Sequence, residues 1–422
     1  MSEIKKLIER LCPEGVEYKP LWQLTAWDKK FNGVEKSMQK KIIKYPYVLA
    51  KVFDELEVEK GDVKLLSTGI SDKERWTTEA IAGDLVCEGE IVAIPWGGTP
   101  NVKYYKGKFV TADNRIATSL DTSVLNNKFL FYYLNNIIED IAALYRGAGI
   151  QHPSMKGVLS LEIPVPPIEV QSKIVEILDN FTELEAKLEA ELEARRKQYE
   201  YYRNQLLTFD EDSNVKYMKL GDLAELVTKQ TGFDYTKTIR PSLLRIQEED
   251  SIPYMQTKNF SGRVFDYNTD YYVPRKIVEQ FPRIVLNKKC LLFSIVGASI
   301  GNVGLFPGTK ECFLGGAICV IKFKDGVNIA YIYEIMSSWY GQQIIRKKTK
   351  GLGQATVTVE DIRNFVIPIP SPSEQERIVS ILDRFEALTT DLQSGLPAEI
   401  EARRKQYEYY REQLLTFKRK TA

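Results

Sequence analysis

The chain has 422 residues, 44% of them apolar and 27% charged, with 58 Lys and Arg set against 57 Asp and Glu. That length exceeds one ordinary core and predicts a globular protein of two or more domains. The net charge of +1 excludes a generally cationic nucleic-acid binder, so any such contact must be a local basic surface.

In chain order, an N-terminal segment (1–20) runs through VEYKPLWQL, from Val16, into a first domain (21–161). Its signals are a strand-like apolar run entering a glycine loop (EIVAIPWGG from Glu90), an aromatic helical stretch (KFLFYYL from Lys128) and a polar glycine loop (RGAGIQHPS from Arg146). The alternating prolines from Ile163 forbid helix and predict an extended lead-in, after which a helix should start with Glu, Ser and Gln in its first turn. Ile174, Leu178, Phe181, Leu184, Leu188 and Leu192 recur at three- and four-residue steps, and Tyr199, Tyr202 and Leu206 continue the stripe. This pattern predicts one unbroken helix over 171–207, roughly 55 Å long at 1.5 Å per residue, with a seam for another helix. It belongs to a central arm, 162–212. The same order then returns: VKYMKLGDL from Val215, CLLFSIVGAS from Cys290, AYIYEIM from Ala330 and KGLGQATVT from Lys350 in a second domain (213–366). A second arm (367–422) follows. Its stripe of Ile378, Leu382, Phe385, Leu388 and Leu392 meets SGLPAEIEARR, where Gly395 suits a helix C-cap and Pro397 the first turn of a new helix. Two helices with a joint are expected there.

The arms are close copies. EARRKQYEYYRNQLLTF at 193–209 returns at 401–417 with only Asn204 exchanged for Glu412. The domains between them differ almost everywhere. Equivalent connectors around unequal domains suggest a scaffold that meets one partner twice and presents two different reading heads. The phrase RRKQYEYYR mixes cations with aromatics, as single-strand binders do. On a helix, however, Tyr199, Tyr202 and Leu206 share one face while Arg195, Lys197, Glu200 and Arg203 spread around the rest, which favours a coiled-coil seam with a solvated or partner-facing surface.

Familiar catalytic signatures are missing. GASIG at 297–301 fits a nucleophile elbow, but that chemistry needs a histidine base and the one histidine, His152, lies in the other half; a tight glycine turn is the better reading. There is no GxxxxGK[ST] phosphate loop, no GxGxxG and no [DN]PP[YF] motif. Cys12, Cys87, Cys290, Cys312 and Cys319 form no CxxC pair, which points to free thiols in a reducing cytoplasm and away from a zinc cluster. No apolar run approaches the ~18 residues of a membrane span, and the N-terminus lacks a signal-peptide core. Candidate DNA contacts sit at the domain loops: Arg146, Gln151, His152 and Lys156 in the first domain, and Arg346, Lys347, Lys348, Lys350, Gln354 and Thr356 in the second, with Trp96, Lys258 and Asn259 as further loop candidates. Arg and Lys neutralise phosphates, while Gln, Asn and Arg make bidentate contacts to base edges. An ordinary charged surface is the plain alternative for each.

Taken together, IPxPxxxxQxxIVxILDxF, a leucine-stepped helix and EARRKQYEYYRxQLLTF, written twice around variable domains, resemble the specificity subunit of Type I restriction-modification enzymes. The resemblance implies an α+β chain with two α/β target-recognition domains and two helical arms packed as an antiparallel coiled coil about a pseudo-twofold. It implies a non-catalytic bacterial or archaeal cytoplasmic subunit. Each domain would read half of a bipartite, asymmetric site in double-stranded DNA, and the arms would set the spacer. Two methyltransferase subunits would dock on Arg195, Arg196, Lys197, Tyr201 and Arg203 and on Arg403, Arg404, Lys405, Tyr409 and Arg411. S-adenosylmethionine would belong to those partners, and ATP and Mg to restriction subunits that join for cleavage. The rival is a tandem coiled-coil scaffold that bridges proteins without reading DNA.

Overall fold

Each domain is tied off by its own ends. Tyr18–Pro20 pairs antiparallel with Glu162–Pro164, and Lys216–Lys219 with Val366–Ile369. The proline lead-ins are therefore strands of two-stranded ribbons, where a residue without an N–H can face the unpaired edge. The computed structural model describes residues 2–70, 74–210, 215–349, 355–390 and 395–420. The chain divides into two compact units, Met1–Leu188 with Ile400–Ala422, and Glu189–Glu399. The division falls inside the arms, so each unit holds one domain, the start of the arm that follows it and the end of the other arm.

In the first unit a six-stranded sheet runs in the order Thr25–Trp27, Asn114–Ser119, Cys87–Pro95, Lys103–Thr111, Val63–Leu66, Trp76–Thr77. All neighbours are antiparallel except Lys103–Thr111 beside Val63–Leu66. The aromatic stretch forms the helix Asn127–Asn136, capped by the Asn126 side chain, which accepts from the Lys128 and Phe129 amides. Its Phe129, Leu130 and Tyr133 pack with Val92, Ile94 and Ala117 of the sheet in one core. The second unit has two four-stranded sheets: Ala224–Lys229, Ile318–Phe323, Cys290–Ser294, Val303–Phe306, and Tyr272–Pro274, Ser251–Met255, Cys312–Leu314, Val285–Leu286. The matching helix, Ile329–Ser337, is capped by Asn328 and buries Tyr331, Ile332 and Ile335.

The first arm is a single helix of 39 residues, Ile168–Leu206, and the second arm is two helices, Pro372–Thr390 and Leu396–Leu415. The Gly395 carbonyl accepts from the Ala398 and Glu399 amides (3.0 and 3.2 Å), so Gly395 opens the second helix, while residues 391–394, on which its expected C-cap role depends, lie outside the described residues. Leu392, expected on the seam, lies outside the described residues.

In the first unit Val170, Ile174 and Leu178 share a core with Leu414, Leu415 and Phe417, and Phe181 meets Tyr407 and Tyr410 at 6.4 and 5.5 Å between ring centres. In the second, Ile378 and Leu382 share a core with Leu207, and Phe385 meets Tyr199 and Tyr202 at 6.5 and 5.5 Å. Within each unit the arm segments therefore run antiparallel. Each fully buried Leu or Ile on these seams contributes roughly 1.5–3 kcal/mol.

The repeated glutamine explains itself at the lead-ins. Gln171 Nε2 donates to the Val124 and Pro166 carbonyls (2.8 and 2.7 Å), and its Oε1 accepts from the Asn126 amide (2.9 Å). Gln375 Nε2 donates to the Pro370 carbonyl at 2.9 Å. Both side chains satisfy a proline carbonyl of the lead-in, and Gln171 also satisfies two backbone groups of the domain loop before the helix Asn127–Asn136.

Candidate nucleic-acid interface

Two loops that are far apart in sequence close on each other in the first domain. The strand Cys87–Pro95 ends at Trp96, whose carbonyl oxygen accepts from His152 Nδ1 at 2.7 Å. A carbonyl only accepts, so Nδ1 carries a proton and is the donor. The Gly98 amide donates to the Gln151 carbonyl at 3.1 Å. Arg115, itself paired with Asp113 at 2.8 Å, stacks its guanidinium 4.0 Å from the Trp96 ring centre. Half-buried Trp96 and exposed Gln151 and His152 thus form one lip, and Arg146 pairs across from His152 in a short ribbon. Lys156 sits on the following helix and faces Glu35 at 3.7 Å.

The second domain repeats this junction with different letters. The apolar strand Cys290–Ser294 runs into Val296 and Gly297; Val296 bridges Thr356, and the Gly297 amide donates to the Ala355 carbonyl at 3.2 Å. In both domains, then, the loop after the central strand pairs with the loop before the proline lead-in. GASIG is the first of these loops. Gly297 and Gly301 take φ of 83° and 87°, which marks a tight turn, and His152 is committed to Trp96 in the other unit.

Arg346, Lys347 and Lys348 stand exposed in the last turn of the helix Trp339–Lys348. Lys350 and Gln354 lie outside the described residues. Lys258 is exposed and salt-bridged to Asp270. Asn259 is a correction: it is 2% exposed, its Oδ1 accepts from the Gln256 amide at 2.9 Å and its Nδ2 donates to the Asp266 and Asn268 carbonyls at 3.3 Å. Its polar atoms are consumed inside the loop, so none faces a ligand.

Sequence reasoning missed a cleft of about 810 Å³ in the second domain, beside Val296. Lys229, Arg240 and Arg245 line it together with Tyr235, Tyr254 and Tyr271. These residues come from separate strands and turns, and no local pattern joins them.

The repeated arm phrase has the same internal geometry in both units. Arg195 Nη1 donates to Gln198 Oε1 at 3.0 Å and Arg403 to Gln406 at 3.2 Å. Arg203 stacks on Tyr199 and Arg411 on Tyr407, 5.0 and 5.6 Å from the ring centres. These four arginines are half-buried and partly spent on the arm itself. Arg404 pairs with Glu185 at 2.6 Å. Arg196, Lys197 and Lys405 are exposed, and so are Tyr201 (58%) and Tyr409 (60%). The one exchanged letter has a local role, since Asn204 Oδ1 accepts from the Trp339 amide at 3.1 Å and so caps a helix of the second domain.

A partly buried ion cluster, with Glu334 at its inner end and Asp383 at its exposed end, ties the second domain to its arm segments. Arg263 contacts Glu334, Asp383 and Glu386, each at 2.7 Å, and Tyr199 donates to Glu334 at 3.2 Å. The three carboxylates lie within 4.8 Å of one another, and the guanidinium takes the place a cation would have among them. In the first unit Asp179, the counterpart of Asp383, receives Tyr132 (2.6 Å) and Lys128 (2.9 Å) instead.

The sequence matches the Type I restriction modification DNA specificity domain twice, over residues 32–194 and 212–402. The chain belongs to the Type I restriction-modification specificity-subunit family. It is 32% identical over 320 residues to a Type I restriction enzyme specificity subunit of Escherichia coli, covering 72% of this chain and 74% of that one. It is 30% identical over 349 residues to one from Haemophilus influenzae, covering 78% and 83%. The crystal structure of the Type I S subunit from M. genitalium has the same fold, with a TM-score of 0.58 at 18% identity over 95% of this chain and 96% of that one. Both domains match the family and a long helix follows the first, and a scaffold without DNA specificity is not favoured. Among the described residues no helix is long and apolar enough to cross a membrane.

Proposed function

We propose that this specificity subunit selects the DNA sites at which a Type I assembly methylates adenine, one domain (21–161) reading one half-site and the other (213–366) the second. Its arms set the unspecified spacer and dock two methyltransferase subunits, and restriction subunits join for cleavage. S-adenosylmethionine is then the cofactor of the methyltransferase, and ATP and Mg those of the restriction subunit, so this chain contributes recognition and no chemistry. The loop junctions at Trp96–His152, where Gln151 and His152 are exposed, and at Val296–Thr356, which is half-buried, are the supporting feature on the DNA side. They occupy equivalent places in two domains that differ in sequence, as separate half-sites require.

The observation that carries the docking reading is the matched pair of exposed patches, Arg196, Lys197 and Tyr201 against Arg404, Lys405 and Tyr409. Exposed tyrosines beside cations are typical of interface anchors, and nothing in helix stability asks for them at the same place twice. Changing Tyr201 and Tyr409 to Ala and Lys197 and Lys405 to Glu should lower the methyltransferase copies per complex from two, with the chain still folded. Native mass measurement showing two copies at unchanged affinity would mean that these patches are only solvated helix surface.

A further inference from the structure

The cleft beside Val296 carries three cations, Lys229, Arg240 and Arg245, and no Asp or Glu lines it. Among the described residues none of the three forms an ion pair, and all three converge on one concave wall. Such a concave, unneutralised basic wall attracts a polyanion. We propose that this cleft, and not the basic helix end at Arg346–Lys348, discriminates bases in the half-site read by the second domain. The inference rests on the DNA-reading function proposed above and adds which residues perform it.

Base reading needs donors held in a fixed orientation, and phosphate neutralisation does not. The cleft supplies fixed donors. Arg245 lies with its guanidinium 5.1 Å from the Tyr271 ring centre, which orients its planar fork. Arg240 follows the fully buried Ile239 and precedes Pro241, so its backbone is pinned on both sides. The floor is rigid: Tyr254 donates to Gln230 Oε1 at 3.2 Å, and Gln230 Nε2 donates to the Leu314 carbonyl at 3.4 Å. Next in sequence to the lining residues stand Phe233 and Ile246, 70% and 79% exposed, which suit contact with a thymine methyl or a base step. Val296 joins the cleft to Thr356, hence to the loop junction that both domains share. By contrast, Arg346, Lys347 and Lys348 are three consecutive exposed side chains at a helix C-terminus, where positive charge also complements the helix dipole.

The test uses the full chain with its methyltransferase in a host, followed by methylome sequencing, and duplex binding by the purified complex. Arg240→Ala and Arg245→Ala, both at exposed positions outside the core, should relax one half-site by roughly ten- to a hundred-fold per affected base. The other half-site and the spacer should stay unchanged. The triple change of Arg346, Lys347 and Lys348 to Ala should keep the motif, weaken binding to all sequences and reduce the salt slope by up to about 3. If a cleft variant stops methylating in cells, its binding to duplexes with single-base changes decides: a flattened preference supports the proposal, and a retained one overturns it. Unchanged half-sites in both cleft variants, or a motif altered by the triple change, would also overturn it. A wild-type complex with no sequence-specific methylation would overturn the function itself.

Discussion

Arg263 stands at the tip of a two-residue turn between Phe260–Ser261 and Val264–Phe265, and Gly262 beside it takes φ of 60°, which that tight hairpin requires. A Cβ on Gly262 would also lie 2.8 Å from the Tyr333 hydroxyl. The turn thereby delivers a guanidinium to three carboxylates, of which Glu334 has a fully buried side chain. Removing Arg263 strands that charge, so Arg263→Ala should cost ~3–5 kcal/mol in urea unfolding, and much less when Glu334→Gln is already present. Equal losses in the two backgrounds would mean the pair is not coupled. Burial pushes the Glu386 carboxyl from an ordinary 4.5 up to about 7, against the opposing pull of Arg263, and burial raises Glu334 as well. Between pH 4.5 and 7 the folded state thus binds more protons than the unfolded one, and stability falls as pH rises through that window. Glu386→Gln should flatten this fall and stabilise the chain at pH 8 by on the order of 1–3 kcal/mol, with Asp383, Glu334, Arg203 and Tyr199 still facing the site. A variant that loses stability between pH 5 and 8 as steeply as the wild type would show that Glu386 is ionised throughout.

The arm elements carry a length-dependent prediction. LEAKLEAELEAR at 184–195 is a four-residue unit written three times within the single helix Ile168–Leu206. Four helical residues advance about 6 Å and turn about 400°, a net 40°. One base pair advances about 3.4 Å and turns about 35°. Inserting one LEAE unit should therefore leave both half-sites intact and lengthen the unspecified spacer, by one base pair, in the methylome of the insertion strain. An unchanged spacer with methylation intact would mean that the tract is only good helix-forming sequence. These helices were legible in the sequence because their signals are local: prolines, three- and four-residue leucine steps, and a phrase repeated nearly letter for letter. The expected 171–207 became Ile168–Leu206. A glycine between two helices suits the end of either one, and the hydrogen bonds of Gly395 add a place at the start of the second. The domain surfaces were far less legible. The meeting of Gly98 with Gln151, the burial of Asn259 and the convergence of Lys229, Arg240 and Arg245 on one cleft all depend on long-range packing, which no window of sequence contains.

At the scale of the whole molecule, two copies of one design differ in their domains and agree in their arms. Asn126 and Asn328 cap matching helices, Gln171 and Gln375 tie matching lead-ins, and Asp179 and Asp383 anchor each domain to its arm. Those shared anchors keep the frame constant while the loops between them diverge, so domains should be exchangeable as modules. Exchange of residues 21–161 for the equivalent domain of a relative tests this most directly, with adenine methylation mapped across the host genome. The account predicts a bipartite motif that depends on this chain, of which the exchange alters one half and leaves the other half intact. A motif changed in both halves, or a methylome indifferent to the chain, would contradict it.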